Sequence, residues 1–175
     1  KFLVMVTRQG VIKKSDIADF ESVRRSGLIA VKLHDTDELS WVKPSKGSDE
    51  IVLVTSDGKA IRFKEANVRA MGRTAAGVRG IKLKKGDQVV GMDIVTKGDS
   101  NGQVMVVMEN GYGKRTHLKS YRIQGRGGSG IKTAKITSKT GKIINAYVTA
   151  DQEGDLIVIS KNGQVIRLPF KSIST

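Results

Sequence analysis

The residues best suited to chemistry stand in one stretch, Tyr121 to Lys135, which reads YRIQGRGGSGIKTAK. Gly125, Gly127, Gly128 and Gly130 can adopt positive φ and bring backbone amides close to a bound group. Arg122, Arg126, Lys132 and Lys135 surround them with positive charge, a combination suited to holding phosphate oxygens. No side chain in the stretch suits acid/base or nucleophilic work. The plainer reading of a single loop of this kind is a glycine-rich hairpin whose lysines face water. Recurrence of the pattern along the chain favours the phosphate reading.

Other chemistries find little support. Gly125, Gly127 and Gly130 spell G-x-G-x-x-G, but a dinucleotide site needs a helix after the glycines, and the β-branched Ile131 to Thr137 predicts a strand. Gly130-Ile131-Lys132-Thr133 fails as a nucleotide-binding P-loop because an isoleucine separates glycine from lysine. His34 and His117 lie far apart and in no metal-ligand spacing. The acidic runs at 34–38 and 150–155 match no EF-hand pattern and read as solvated turns. Tyr112, Tyr121 and Tyr147 have no base or acid cluster beside them, and Trp41 with four phenylalanines forms no stacking ladder for single strands. Neither a catalytic nor a metal site is expected.

The elements that must position these residues follow from composition and repetition. The 175 residues carry 31 Lys+Arg against 17 Asp+Glu, a net charge of +14 that points to a polyanionic partner. The segment 103–154, with nine Lys+Arg against three Asp+Glu, is the most positive. There is no cysteine, which excludes disulfides and thiol chemistry, and no apolar run approaches a membrane span. Four segments share one plan of apolar run, turn ending in glycine, and cationic strand: FLVMVTRQGVIKK, IVLVTSDGKAIRF, VMVVMENGYGKRT and LIVISKNGQVIRL. Gly10, Gly58, Gly111 and Gly163 mark the turns, spaced 48, 53 and 52 residues apart. Asp57-Gly58, Asn110-Gly111 and Asn162-Gly163 favour tight hairpins in which both positions take positive φ. Four residues after each glycine stands a cation: Lys14, Arg62, Arg115 and Arg167, with Lys114 beside the third.

A short polar stretch follows each hairpin, too short for a stable helix, and carries Arg69 and Arg122 in the second and third repeats. A second glycine motif then recurs at Gly27, Gly77 and Gly130 before LIAVKL, VRGIKL and IKTAKI, each expected to be a strand. Arg73 aligns with Arg126, Arg24 and Arg25 stand near that place in the first repeat, and Arg79, Lys82, Lys132 and Lys135 follow the glycines. A last strand closes each unit near Leu39, Val89 and Ile143. About four short strands per fifty residues predict an all-β chain of propeller blades: 1–49, 50–102, 103–154 and the start of another at 155–175, about three and a half in one domain. Cations in register on successive blades predict a charged rim that curves with the fold. Because the chain starts in a strand-like run and stops in a loop-like one, it reads as part of a longer polypeptide.

GRTAAGVRGIKL at 72–83, ENGYGKRT at 109–116 and YRIQGRGGSGIKTA at 121–134 carry a resemblance across essentially the whole chain. The sequence resembles the C-terminal domain of bacterial DNA gyrase A, in its second to fifth blades. That resemblance implies a β-pinwheel, a propeller with strands exchanged between blades, whose basic outer edge wraps duplex DNA in a cytoplasmic, ATP-dependent type II topoisomerase. It also implies partnership with the rest of gyrase A and with gyrase B, and places ATP and Mg in the parent enzyme, with no cofactor bound by this chain. The family's signature heptapeptide belongs to the first blade, expected to precede Lys1. Gln124 to Gly130 is a box-like copy with Ser129 in place of a basic residue, and the resemblance assigns Gln124, Arg126, Gly127, Gly128 and Gly130 a secondary DNA contact. The equivalent domain of topoisomerase IV is the alternative, and a protein-binding propeller whose charge serves solubility is a further one.

Overall fold

The computed structural model describes residues 1–22, 25–99, 101–149 and 154–175. Thirteen strands form among them: β1 (Phe2–Thr7), β2 (Val11–Asp16), β3 (Leu39–Ser45), β4 (Glu50–Thr55), β5 (Lys59–Lys64), β6 (Val78–Arg79), β7 (Val89–Val95), β8 (Gln103–Met108), β9 (Gly113–His117), β10 (Ile131–Lys132), β11 (Ile143–Thr149), β12 (Asp155–Ile159) and β13 (Val165–Pro169). The polar stretches after the hairpins are single 3-10 turns at Ile17–Phe20, Glu65–Asn67, Leu118–Ser120 and Phe170–Ser172. The chain is all-β.

Each hairpin is closed by the same device. Gly10, Gly58, Gly111 and Gly163 have φ of 80°, 80°, 81° and 79°. Their amides donate to the carbonyls of Thr7, Thr55, Met108 and Ser160 at 2.9 to 3.1 Å. No described residue other than glycine has positive φ, so the Asp and Asn before the glycines stay in ordinary conformations. The turn is therefore one left-handed glycine after a right-handed bend, not the doubly left-handed type that Asn-Gly suggests.

The sheets cross the repeat boundaries. Strand orders are β3-β1-β2-β6, β10-β5-β4-β7, β11-β8-β9 and β12-β13. The short β6 of the second repeat pairs with β2 of the first, through Val11 with Arg79 and Ile12 with Val78. β10 of the third repeat pairs in the same way with β5 of the second. The expected strands after the second glycine are thus two residues long and belong to the preceding blade. Leu28 to Leu33 forms no strand.

The core lies between blades. All six residues of β4 are buried, because Ile51 and Leu53 pack towards Val4, Val6 and Ile12 while Val52 and Val54 pack towards Val104, Val106 and Ala146. Alternation with both faces covered is what a central strand between stacked sheets requires. β3 packs on β7 and β7 on β11, so these strands meet at a common hub, and β6 and β10 lie at the opposite edges of their sheets. Asp93 on β7 joins the hub: its carboxylate pairs with Lys43 of β3 at 2.6 Å and accepts from the Val148 amide of β11 at 2.9 Å.

Candidate nucleic-acid interface

The repeat pattern predicts a rim position for the cation four residues after each hairpin glycine, and the structure corrects that expectation. The Lys14 side chain is 7% exposed, and its ammonium lies 3.4 Å from the carboxylate of fully buried Glu65. Arg62, with a side chain 11% exposed, pairs with Glu50 at 2.5 Å and donates to the Leu118 carbonyl at 2.8 Å. Buried Arg115 donates to the Ile173 carbonyl at 2.9 Å and to Thr175 Oγ1 at 3.4 Å. Glu65, Leu118 and Ile173 stand in or beside the 3-10 turn of the next repeat, so these cations clip one blade to the following one. A turn with unsatisfied carbonyls attracts a cation for the same reason a phosphate does. Arg167 is exposed and pairs with Asp155. None of the four is an unpaired rim charge.

The glycine box is laced to the protein as well. Arg126 donates to the Arg79 carbonyl at 2.5 Å and to that of Asn67 at 3.1 Å. The Gly127 amide donates to Gly80 O at 2.8 Å, and the Lys82 amide to Gly128 O at 2.9 Å. Of the box glycines only Gly127 and Gly130 take positive φ, 82° and 68°. A Cβ on Gly130 would stand 2.5 Å from the Ala60 carbonyl, and one on Gly77 2.7 Å from that of Ile12. In the second and third repeats the second glycine thus lets the chain cross tightly over the preceding hairpin, whereas Gly27 of the first has open space around it. The Gln124 amide donates to Arg62 O at 2.8 Å, and its carboxamide nitrogen is buried without a hydrogen bond. Arg73 donates to the Ile29 carbonyl at 3.3 Å, so it too holds backbone.

The exposed cations form a different recurring set. Arg69 and Arg122 follow the 3-10 turns, Arg79 and Lys132 sit on the edge strands β6 and β10, and Lys82 and Lys135 come three residues later. All six are exposed and make no ion pair among the described residues. Lys114 and Arg25 are exposed too, and Arg24 lies outside the described residues. The chain therefore presents pairs of equivalent cations on successive sheets, on segments attached to the edge away from the hub.

Sequence reading missed Lys59 and Lys84. They line a cleft of about 590 Å³ with Lys82, Leu83, Ser129, Ile136, Asp57 and Asp87, where the second hairpin turn meets the third repeat. Their signal lay in comparing repeats position by position: Lys59 and Lys84 stand where the first repeat has Val11 and His34. Tyr121 is buried, its hydroxyl is bonded to Thr133, and burial pushes it above the ordinary tyrosine range. Asp37 of the first acidic run accepts the Gln9 and Glu38 amides at 2.9 and 2.8 Å, so it shapes a turn. Residues 150–153 of the second run lie outside the described residues.

The same architecture occurs in known proteins. The family described as DNA gyrase C-terminal domain, beta-propeller, matches residues 1–46, 49–96, 103–150 and 154–175. The chain belongs to that family. DNA gyrase A of Staphylococcus epidermidis and that of Staphylococcus aureus are each 44% identical over 173 residues, 99% of this chain. The chain spans 19% of the length of those relatives. Among solved structures, a DNA gyrase A C-terminal domain superposes with a TM-score of 0.84 at 26% identity, covering 99% of this chain and 57% of the other. The C-terminal domain of DNA topoisomerase IV gives 0.91 at 25% identity, covering 98% and 53%. As a gyrase C-terminal domain, the chain joins its sheets by the exchange of β6 and β10 described above.

Proposed function

We propose that this gyrase C-terminal domain binds duplex DNA without regard to sequence and bends it along the edge that carries β6 and β10. The observation that carries this reading is the recurrence of unpaired, exposed cations at equivalent places on successive sheets: Arg69 with Arg122, Arg79 with Lys132, Lys82 with Lys135. Cations on a regular edge suit the phosphate backbone, which is uniform in sequence and periodic in space. The domain then serves a type II topoisomerase in the bacterial cytoplasm, with the rest of gyrase A and gyrase B supplying cleavage, ATP and Mg.

Bending a site of a few tens of base pairs costs on the order of 1–6 kcal/mol, so one blade's contacts are too few and several must share the duplex. The decisive experiment is ligation of nicked circles with increasing amounts of the full-length protein. A linking-number change that grows with bound protein supports wrapping, and tight retention with no such change overturns it.

The topoisomerase IV reading is favoured by one observation, the TM-score of 0.91. The 44% identity to DNA gyrase A over 99% of the chain outweighs it, because the fold is shared by both domains, whose solved structures are 25% and 26% identical to this chain. Supercoiling of relaxed plasmid by the assembled enzyme separates the two.

A further inference from the structure

The cleft at the second hairpin has a composition that its neighbour lacks. The corresponding cleft at the first hairpin, about 550 Å³, is lined by Val11, His34 and Ala76 together with Arg79 and Lys82. In the second cleft those three places hold Lys59, Lys84 and Ser129, and Lys82 borders both. At the third hairpin the place of Lys59 is taken by Tyr112, 41% exposed beneath the Lys139 ammonium.

The carboxylates of the second cleft are already committed. Asp57 pairs with Lys142 at 2.9 Å. Asp87 accepts Ser56 Oγ at 2.9 Å and the amides of Asp57 and Gln88 at 3.0 and 2.8 Å. Lys59, Lys82 and Lys84 have no ion-pair partner among the described residues, so three ammonium groups share one concave site with a hydroxyl. Asp87, held only by neutral donors, offsets one of these charges and leaves the site net positive, and a phosphate group, with charge and several acceptor oxygens, satisfies it.

We propose that this cleft seats a single phosphate group and fixes the duplex backbone at one point of an otherwise uniform edge. The inference rests on the DNA-binding reading above. Lys59, Lys82 and Lys84 act together on one phosphate, so their contributions are not independent.

The test is lysine acetylation of the full-length protein, read by mass spectrometry with and without duplex. Shielding of Lys59, Lys82 and Lys84 together, while exposed Lys97 and Lys161 stay reactive, is the expected result. Unchanged reactivity of Lys59 and Lys84 in protein that retains duplex overturns the seat and leaves DNA binding standing. Protein that binds no duplex at low salt defeats the DNA reading instead. The same footprint with inorganic tripolyphosphate then decides the seat, shielding supporting it and its absence overturning it.

A second arm replaces the seat with residues the first hairpin already accommodates, Lys59→Val, Lys84→His and Ser129→Ala. The slope of log affinity against log salt is expected to fall by about 1, the value for one phosphate, with Lys59→Val alone giving most of that loss. A fall in proportion to the lysines removed overturns a shared seat. Should the triple variant not fold, the footprint of the unaltered protein decides.

Discussion

At the scale of single residues, Glu65 shows how a buried charge is used here. Its carboxylate accepts Ser45 Oγ at 2.8 Å and the amides of Gly47 and Asp49 at 3.1 and 3.2 Å, and it lies 3.4 Å from Lys14. Glu65→Ala leaves the ammonium and three donors unpaired in the interior. The expected loss is about 3–5 kcal/mol, the cost of breaking a buried pair by removing one partner. Denaturant unfolding measures it, and a loss under ~1 kcal/mol contradicts the clip. Tyr121 gives a pH signature at the same scale. Burial raises its folded value above the ordinary 10.0, so the folded state binds the phenolic proton more tightly than the unfolded chain does. The stability it contributes is complete below about pH 10 and is lost as pH rises through the folded value. In Tyr121→Phe that part of the alkaline decline is expected to vanish, and tyrosinate absorbance should show one late-titrating phenol fewer.

At the scale of elements, the short edge strands are the parts that tie repeat to repeat. Two residues cannot hold a strand by themselves, so β6 and β10 exist because a preceding hairpin offers them a ladder and a glycine lets them approach it. Gly130→Ala forces a Cβ to 2.5 Å from the Ala60 carbonyl at a φ of 68°. A destabilisation of at least ~1–3 kcal/mol is expected. Gly125, with open space where a Cβ would stand, should accept alanine with little change in Tm. Equal effects of the two substitutions would show that the glycine box serves no packing purpose. The hairpins were legible from their apolar runs and turn glycines because both are local signals. The partner of each short strand was not, since the exchange depends on where the preceding hairpin lies in space.

At the scale of the whole molecule, the charge excess of +14 divides into two populations. Lys14, Arg62 and Arg115 hold blades together, whereas Arg79, Lys82, Lys132 and Lys135 stand exposed. The double variant Arg79→Ala, Lys132→Ala is therefore expected to weaken duplex binding at every sequence tested and to lower the salt slope by about 2, one for each phosphate no longer neutralised. Stability should stay within ~0.5 kcal/mol, because both side chains are exposed and unpaired. Arg62→Ala is expected to behave oppositely, with a lower Tm because Glu50 and the Leu118 carbonyl are left without their partner. If Arg62→Ala alters the salt slope as Arg79→Ala does, the division into two populations is wrong.

The amino-acid sequence by itself determined the repeat, the all-β class, the hairpin glycines and the chain's own charge excess, for each is written in local pattern and composition. It also carried the likeness to the gyrase domain, through motifs that recur intact. Tertiary structure alone decided which cations are available. Arg62 and Arg79 look alike as letters four and two residues beyond a turn glycine, yet one finds a carboxylate on the neighbouring strand and a carbonyl across a blade junction, and the other stands exposed. A charge is held or free according to what the fold brings within a few ångströms of it, and for Arg62 that includes a carbonyl 56 residues further along the chain.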